Sequence, residues 1–265
     1  MSDTRDDQRP EAAGKAAGNS ERKDNVDSPS AAPVRKPVWL HIFGHDITAP
    51  FLLLLLSLAL FVSGQWTVPP LDRDEPRFTQ ATKQMLETND YIDIRFQDQA
   101  RHKKPVGIYW LQAAAVKLTG QGADAPLWAY RLPSVIASII SVLATFWLAR
   151  AFMGPAGALL AAGFVALAII VGVEARLAKT DAALFAMIII AQGALARVWL
   201  KDPDKRLWGL GFLFWTALAG SVLIKGPVGP MVIGLTVVGL MAMKWKAAWF
   251  KGTAPIAGLL WFVLL

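Results

Sequence analysis

Residues 127–149 read LWAYRLPSVIASIISVLATFWLA, 23 consecutive positions in which Arg131 is the one charged side chain. An α-helix needs about 20 apolar residues to cross the hydrocarbon of a bilayer, so this run reads as a membrane helix. Working outward, comparable runs occur at 47–66, 155–173, 182–200, 207–224, 228–243 and 255–265, each bounded by charge, Gly or Pro. Trp39, Trp66, Trp128, Trp199, Trp208, Trp245 and Trp249 fall near the proposed ends, where interfacial aromatics belong. The expected fold is all-α: a polytopic membrane helix bundle with about seven transmembrane segments. The last run stops on apolar residues, so it is expected to be incomplete and the chain to belong to a longer protein.

The bilayer also accounts for the composition. With 54% hydrophobic residues and a mean hydropathy of +0.40, the chain is too apolar for an ordinary soluble domain. The net charge is +7, from 27 Lys+Arg against 20 Asp+Glu. In a soluble protein that balance would point to nucleic acid, but here the cations lie between apolar runs, and no nucleic-acid partner is expected. The absence of cysteine excludes disulfides, thiolate metal sites and cysteine nucleophiles. Three histidines, His41, His45 and His102, argue against a histidine-only metal site, so no metal ligands and no cofactor are nominated, a divalent metal having no support in the sequence. Residues 1–36 hold seven basic and seven acidic residues with little that could fill a core. The chain is accordingly divided into a disordered cytoplasmic tail, 1–40, and a membrane domain, 41–265.

Orientation follows from the short loops. Arg150, then Arg197, Lys201, Lys205 and Arg206, then Lys244, Lys246 and Lys251 fall in alternate loops, and Arg35 and Lys36 precede the first run. The excess of Lys and Arg marks these loops and the N-terminus as cytoplasmic. The opposite, external side receives the long segment 67–125 and two tight turns, 174–180 and 225–227.

Within the long segment, Leu71-Asp-Arg-Asp-Glu-Pro-Arg-Phe-Thr-Gln80 reads as a helix start, with Pro76 in the first turn and Asp74 or Glu75 available as a cap. Phe78, Ala81, Met85 and Leu86 then follow at helical spacing, as in an amphipathic helix lying at a membrane interface. A cap uses one carboxylate, yet Asp72, Asp74 and Glu75 crowd one turn beside Arg73 and Arg77. A second interfacial helix opens at His102-Lys-Lys-Pro105 and runs to Gly120, with Val106, Tyr109, Trp110, Ala113 and Val116 as its apolar stripe. Lysines at its opening turn suit a phosphate, although lysines snorkelling to lipid headgroups would look the same. Arg131 at the entry to its run, Glu174-Ala-Arg-Leu-Ala-Lys-Thr-Asp181 and Lys225-Gly-Pro227 add charge at the external ends of the membrane runs. Such groups usually face a polar cavity or a partner.

The ordered set Asp74-Glu75-x-Arg77-Phe78, Lys104-Pro-x-x-x-Tyr-Trp-Leu111, Arg176-x-x-x-Thr-Asp181 and Lys225-Gly-Pro227 resembles the polyprenyl-phosphate-sugar glycosyltransferases of the GT-C superfamily. Within it, the branch with bacterial protein O-mannosyltransferases and lipid A aminoarabinose transferases is the most similar. The resemblance implies sugar transfer from an undecaprenyl-phosphate carrier to a lipid A, glycan or protein acceptor at the periplasmic face of the bacterial inner membrane. It implies catalytic roles for Asp74 and Asp181, and donor-phosphate binding by Lys104, Lys225 and Arg77. Glu75, Tyr109, Arg131 and Arg176 are further candidates for the cavity wall. Phe78 stands where the family usually has tyrosine. Lys103 stands where the aminoarabinose transferases tend to have an acid, so a divalent metal described for some members is not carried over.

Chemically, cations at headgroup level would stabilise an anionic leaving group without a nucleotide-binding loop, and a carboxylate across the sugar would activate or orient the acceptor. A transporter or flippase is the rival reading, but its charges would gather near the midplane rather than at one face. Reporter fusions after Asp90 and Gln121 are expected to be external, and those after Pro203 and Lys246 cytoplasmic. A cytoplasmic signal at Asp90 would overturn both the orientation and the placement of the site.

Overall fold

The apolar runs fold as helices, and the structure shows what ends them. The computed structural model describes residues 47–265 apart from 72, 202–206 and 245–246. The expected tail over 1–40, Trp39 and Trp245, and the cations Arg35, Lys36, Lys205, Arg206 and Lys246 lie outside the described residues. Helix α1 covers Thr48–Val62. In the segment 67–125 come α2, Glu75–Thr88, a hairpin of β1, Arg95–Phe96, and β2, Gln99–Ala100, and α3, Gly107–Leu118. The bundle continues with α4, Leu127–Ala149, α5, Pro155–Leu167, α6, Ile169–Glu174, α7, Asp181–Leu200, α8, Trp208–Lys225, and α9, Val228–Lys244. A 3₁₀ turn, Ala248–Thr253, then leads into α10, Pro255–Leu264.

Among the described residues, α4, α7 and α8 are long and apolar enough to cross a membrane by length and composition, while α1, α5, α9 and α10 are apolar helices of 10–17 residues. The run 155–173 is not one helix. At Ala168 the backbone is extended, with φ −64° and ψ 122°, and the chain re-enters helix as α6. No Gly or Pro stands at that position, so the break leaves no mark in the sequence.

Helix α4 is central and packs on α7, α5, α1 and α3. On α5, Ala158, Ala162 and Ala166 recur every fourth residue and are buried against the cluster formed by Leu53, Phe61, Val142 and Phe146. Small side chains on one stripe let helix backbones approach where lipid gives no hydrophobic drive for association. On the other side of α7, Phe214, Trp215 and Trp249 join α8, the 3₁₀ turn and α9 into a second cluster.

Helix α2 buries Phe78, Ala81 and Met85 against Ile108, Tyr109 and Ala113 of α3. Two details differ from expectation. Trp110 is 45% exposed and its indole N–H donates to the Tyr91 carbonyl at 2.7 Å. Gln112 is buried in the stripe instead, donating to the Ala178 carbonyl at 3.0 Å and accepting from the Thr82 hydroxyl at 2.6 Å. The turn before α7 presents a carbonyl that an apolar residue could not satisfy, so a polar side chain takes the inward position. The hairpin is a strand element within an otherwise helical fold. Gln84 of α2 holds its turn, accepting from the Gln97 N–H at 2.7 Å and donating to the Gln97 carbonyl at 3.1 Å.

One ion pair joins these layers. Arg131 of α4 and Glu75 of α2 both have fully buried side chains. Arg131 Nε donates to Glu75 Oε1 at 2.7 Å and Nη2 to Oε2 at 3.0 Å. The remaining donors reach the carbonyls of Val68 at 2.8 Å and Pro69 at 3.2 Å. Glu75 Oε1 also accepts the Ala178 N–H at 2.8 Å, which ties in the turn before α7. Removing one member leaves its partner's charge buried, at a cost of about 3–5 kcal/mol. Glu75→Gln and Arg131→Met are each expected to lower the unfolding free energy by about that amount, measured by denaturant unfolding in detergent. The double variant should lose clearly less than the sum, because both act on one network. Additive losses would show that the pair does not act as a unit.

Candidate functional site

The Asp74-Glu75 pair divides its labour at the start of α2. Glu75 turns inward to Arg131, whereas Asp74, at the N-cap position with φ −82° and ψ −28°, makes no side-chain cap. The expected capping role is therefore absent for both acids. Arg77 Nη1 donates to Asp74 Oδ1 at 3.3 Å, and both side chains are partly exposed.

Lys104 precedes Pro105, and α3 begins at Gly107. A Cβ at Gly107 would lie 2.6 Å from the Leu223 carbonyl oxygen, so only glycine lets α3 start directly against the backbone of α8. This contact brings the loop carrying Lys104 beside the end of α8 that carries Lys225. Lys225 is the last residue of α8, and Gly226 follows with φ 68°, a left-handed conformation suited to glycine. Pro227 then leads into α9. The Lys-Gly-Pro sequence thus ends one helix and starts the next while leaving the lysine at the tip.

Lys225 Nζ donates to the carboxylate of Asp181, the first residue of α7. Asp181 also lines a cavity of about 200 Å³ with Ser138, Ile170, Val171, Glu174, Ala182 and Phe185. Asp74 is not among the residues lining that cavity. Glu174 accepts from Lys179 Nζ at 3.2 Å, and its Oε2 is buried without a hydrogen-bond partner among the described residues.

Three expected cavity residues are engaged elsewhere. Glu75 and Arg131 satisfy each other. Arg176 donates to the carbonyls of Leu60 at 2.6 Å and Gly172 at 2.6 Å, and to that of Ser63 at 3.1 Å. It closes the C-terminal end of α1, whose last carbonyls have no partner within the helix. Tyr109 is fully buried with its ring centroid 5.5 Å from that of Phe78. Its hydroxyl accepts from Arg101 Nε at 3.2 Å. Burial pushes the Tyr109 hydroxyl above the usual tyrosine range, and the Arg101 guanidinium partly opposes that rise.

Arg101 and Gln112 lie outside the sequence expectation, whereas Glu174 and Lys179, expected to face a cavity or a partner, pair with each other. A polar residue at an apolar period marks Gln112 in the sequence; Arg101 carries no such mark, because no local pattern announces the hairpin that aims it. Among the described residues no three His, Asp or Glu side chains gather in a way that could hold a metal ion. The arrangement instead sets Arg77, Lys104, Arg101 and Lys225 at the ends and loops that also carry Asp74 and Asp181, which suits an anionic substrate undergoing acid–base chemistry.

A family model described as dolichyl-phosphate-mannose-protein mannosyltransferase matches residues 103–265, more than half of the chain. An uncharacterised protein of Aquifex aeolicus is 28% identical over 217 residues, covering 81% of this chain and 48% of its own length. An undecaprenyl phosphate-alpha-4-amino-4-deoxy-L-arabinose arabinosyl transferase of Edwardsiella ictaluri is 35% identical over 89 residues, 33% of this chain and 15% of that protein. The chain spans about half the length of the Aquifex relative and less of the transferase. In fold it is similar to ArnT from Cupriavidus metallidurans, in the apo state at a TM-score of 0.69 and 20% identity. The undecaprenyl phosphate-bound form gives the same TM-score at 19% identity, each match covering 81% of this chain and 39% of the other. The ordered motifs carried by α2, α3, α7 and α8, together with the match over 103–265, make the chain a member of the dolichyl-phosphate-mannose-protein mannosyltransferase family.

Proposed function

We propose that the protein is a membrane glycosyltransferase that moves a sugar from an undecaprenyl-phosphate or related polyprenyl-phosphate donor to a lipid A, glycan or protein acceptor. The reaction is assigned to the periplasmic face of a bacterial inner membrane, with the N-terminus cytoplasmic and about seven helices crossing the bilayer. The observation that carries this reading is the approach of α3 to α8 at Gly107, which brings the Lys104 loop to the end of α8 where Lys225 meets Asp181. Cations from distant parts of the chain thereby share one end of the bundle. The undecaprenyl phosphate named for the relatives fits that charge.

In the proposed reaction, an acceptor oxygen forms a bond to the anomeric carbon while the bond from that carbon to the phosphate oxygen breaks. The electron pair leaves with the phosphate, whose growing charge Lys104, Lys225 and Arg77 stabilise. Asp74 takes the proton of an acceptor hydroxyl, or orients an acceptor that is already anionic. One displacement inverts the anomeric configuration, and no covalent intermediate on the protein is needed. Asp181 positions Lys225 and supplies the second acid. The gathering of charge at one end of the bundle, rather than near its middle, favours this chemistry over transport.

Asp74→Asn in the intact protein tests the assignment. Asp74 caps nothing, so the isosteric change should leave the melting temperature within a few degrees while turnover falls by about 10²–10⁴. Full activity would exclude the base. The two lysines should behave differently. Lys104 has no ion pair among the described residues, so Lys104→Ala should weaken donor binding at unchanged stability. Lys225→Ala also strips Asp181 of its partner and should lower both. Unchanged donor affinity in both variants would return these lysines to lipid contact alone.

A further inference from the structure

Arg101 is aimed without being neutralised. It directly follows the hairpin, and its backbone N–H donates to the Ile94 carbonyl at 2.7 Å, which fixes where the side chain starts. Its Nε donates to the buried Tyr109 hydroxyl. Its guanidinium carbon lies 5.5 Å from the Phe78 ring centroid and 5.9 Å from that of Phe96. One hydrogen bond and two aromatic rings therefore set the direction of a planar cation.

The donors that remain decide what this arrangement is for. A guanidinium carries five N–H groups, and the four on Nη1 and Nη2 of Arg101 have no hydrogen-bond or ion-pair partner among the described residues. Arg131 and Arg176 contrast with it, since their guanidinium nitrogens reach carboxylate or carbonyl oxygens. Stacking on rings contributes modestly at a partly exposed site and leaves the outer fork of the cation open. That open fork matches two oxygens of one phosphate, a geometry a lysine cannot offer. The location also fits. Phe78 lies one turn beyond Asp74 and next to Arg77, Tyr109 lies one turn beyond Lys104's proline, and Asp74 and Arg101 both act electrostatically on the Tyr109 hydroxyl.

We propose that Arg101 is a substrate phosphate-binding residue whose Nη pair grips two oxygens of a phosphate beside Asp74, with Tyr109, Phe78 and Phe96 holding the fork in place. The assignment rests on the lipid-phosphate reading of the site. The phosphate belongs either to the carrier lipid or to a phosphorylated acceptor, and the two sources separate experimentally.

The test uses the full-length protein in detergent, measuring Kd for undecaprenyl phosphate and for undecaprenol alongside melting temperature and the KM for acceptor. For Arg101→Gln, undecaprenyl phosphate affinity is expected to fall roughly 10- to 100-fold, the range for lost charge-assisted hydrogen bonds, with undecaprenol affinity unchanged. Arg101→Lys, which keeps the charge and loses the fork, should fall between. Tyr109→Phe, which removes the anchor and keeps the rings, should lose affinity several-fold and gives the answer should Arg101→Gln fold poorly. Unchanged carrier affinity with a KM for phosphorylated acceptor raised by a similar factor would support the acceptor phosphate as the ligand. If wild type binds undecaprenyl phosphate no more tightly than undecaprenol, the lipid-phosphate reading and this proposal both fall. If wild type shows the preference and Arg101→Gln matches it in both Kd and KM, the Arg101 proposal alone is overturned.

Discussion

The fully buried pair of Glu75 and Arg131 is the constraint on which the placement of α2 against the bundle depends. Two charges withdrawn from water tolerate little displacement, because every lost contact exposes an uncompensated charge to an apolar surrounding. Through the carbonyls of Val68 and Pro69, the Ala178 N–H and its own carboxylate–guanidinium contact, the pair fixes the chain after α1, the first turn of α2, the entry of α4 and the turn before α7. Those are the segments that carry Asp74, Arg77 and Asp181. Adjacent acids thus have opposite tasks, one rigidly placed so that the other has a defined position at the edge.

The same economy recurs with other arginines. Arg176 binds carbonyls at the end of α1. Arg197 reaches the Gly193 carbonyl at 3.2 Å, also donates to the carbonyl of Trp147, and lies over the Trp147 ring. Near apolar surroundings a guanidinium can satisfy backbone carbonyls that would otherwise lack partners, which makes it a structural residue as readily as a functional one. Charge alone is therefore a poor guide to the site in this fold, and the open donors of a cation are a better one.

This explains how legible the sequence was. Helix positions followed from the apolar runs, since periodicity and length report burial and bilayer thickness directly. The break at Ala168 did not, because no residue type marks it. Asp74, Lys104, Asp181 and Lys225 could be singled out as an ordered set, and the Lys225–Asp181 contact is consistent with their acting together. Glu75, Arg131 and Arg176 carry the same charge signal yet point into each other or into backbone, a distinction that depends on side-chain direction rather than residue type. Arg101 was silent because its orientation comes from a hairpin held by Gln84, a tertiary contact that local propensity cannot report.

The glycine contact between α3 and α8 bears on how such a protein can diverge. Where Gly107 meets the Leu223 carbonyl, the spacing of two helices is set by the thickness of main chain, not by the fit of interchangeable side chains. Leucine, valine and alanine can then be exchanged widely through the apolar interior while the polar tips keep their separation. Drift in the greasy part of the bundle is uncoupled from drift at its charged end. A chain sharing only 20% of its residues with ArnT and yet superposing at a TM-score of 0.69 is what that uncoupling would produce.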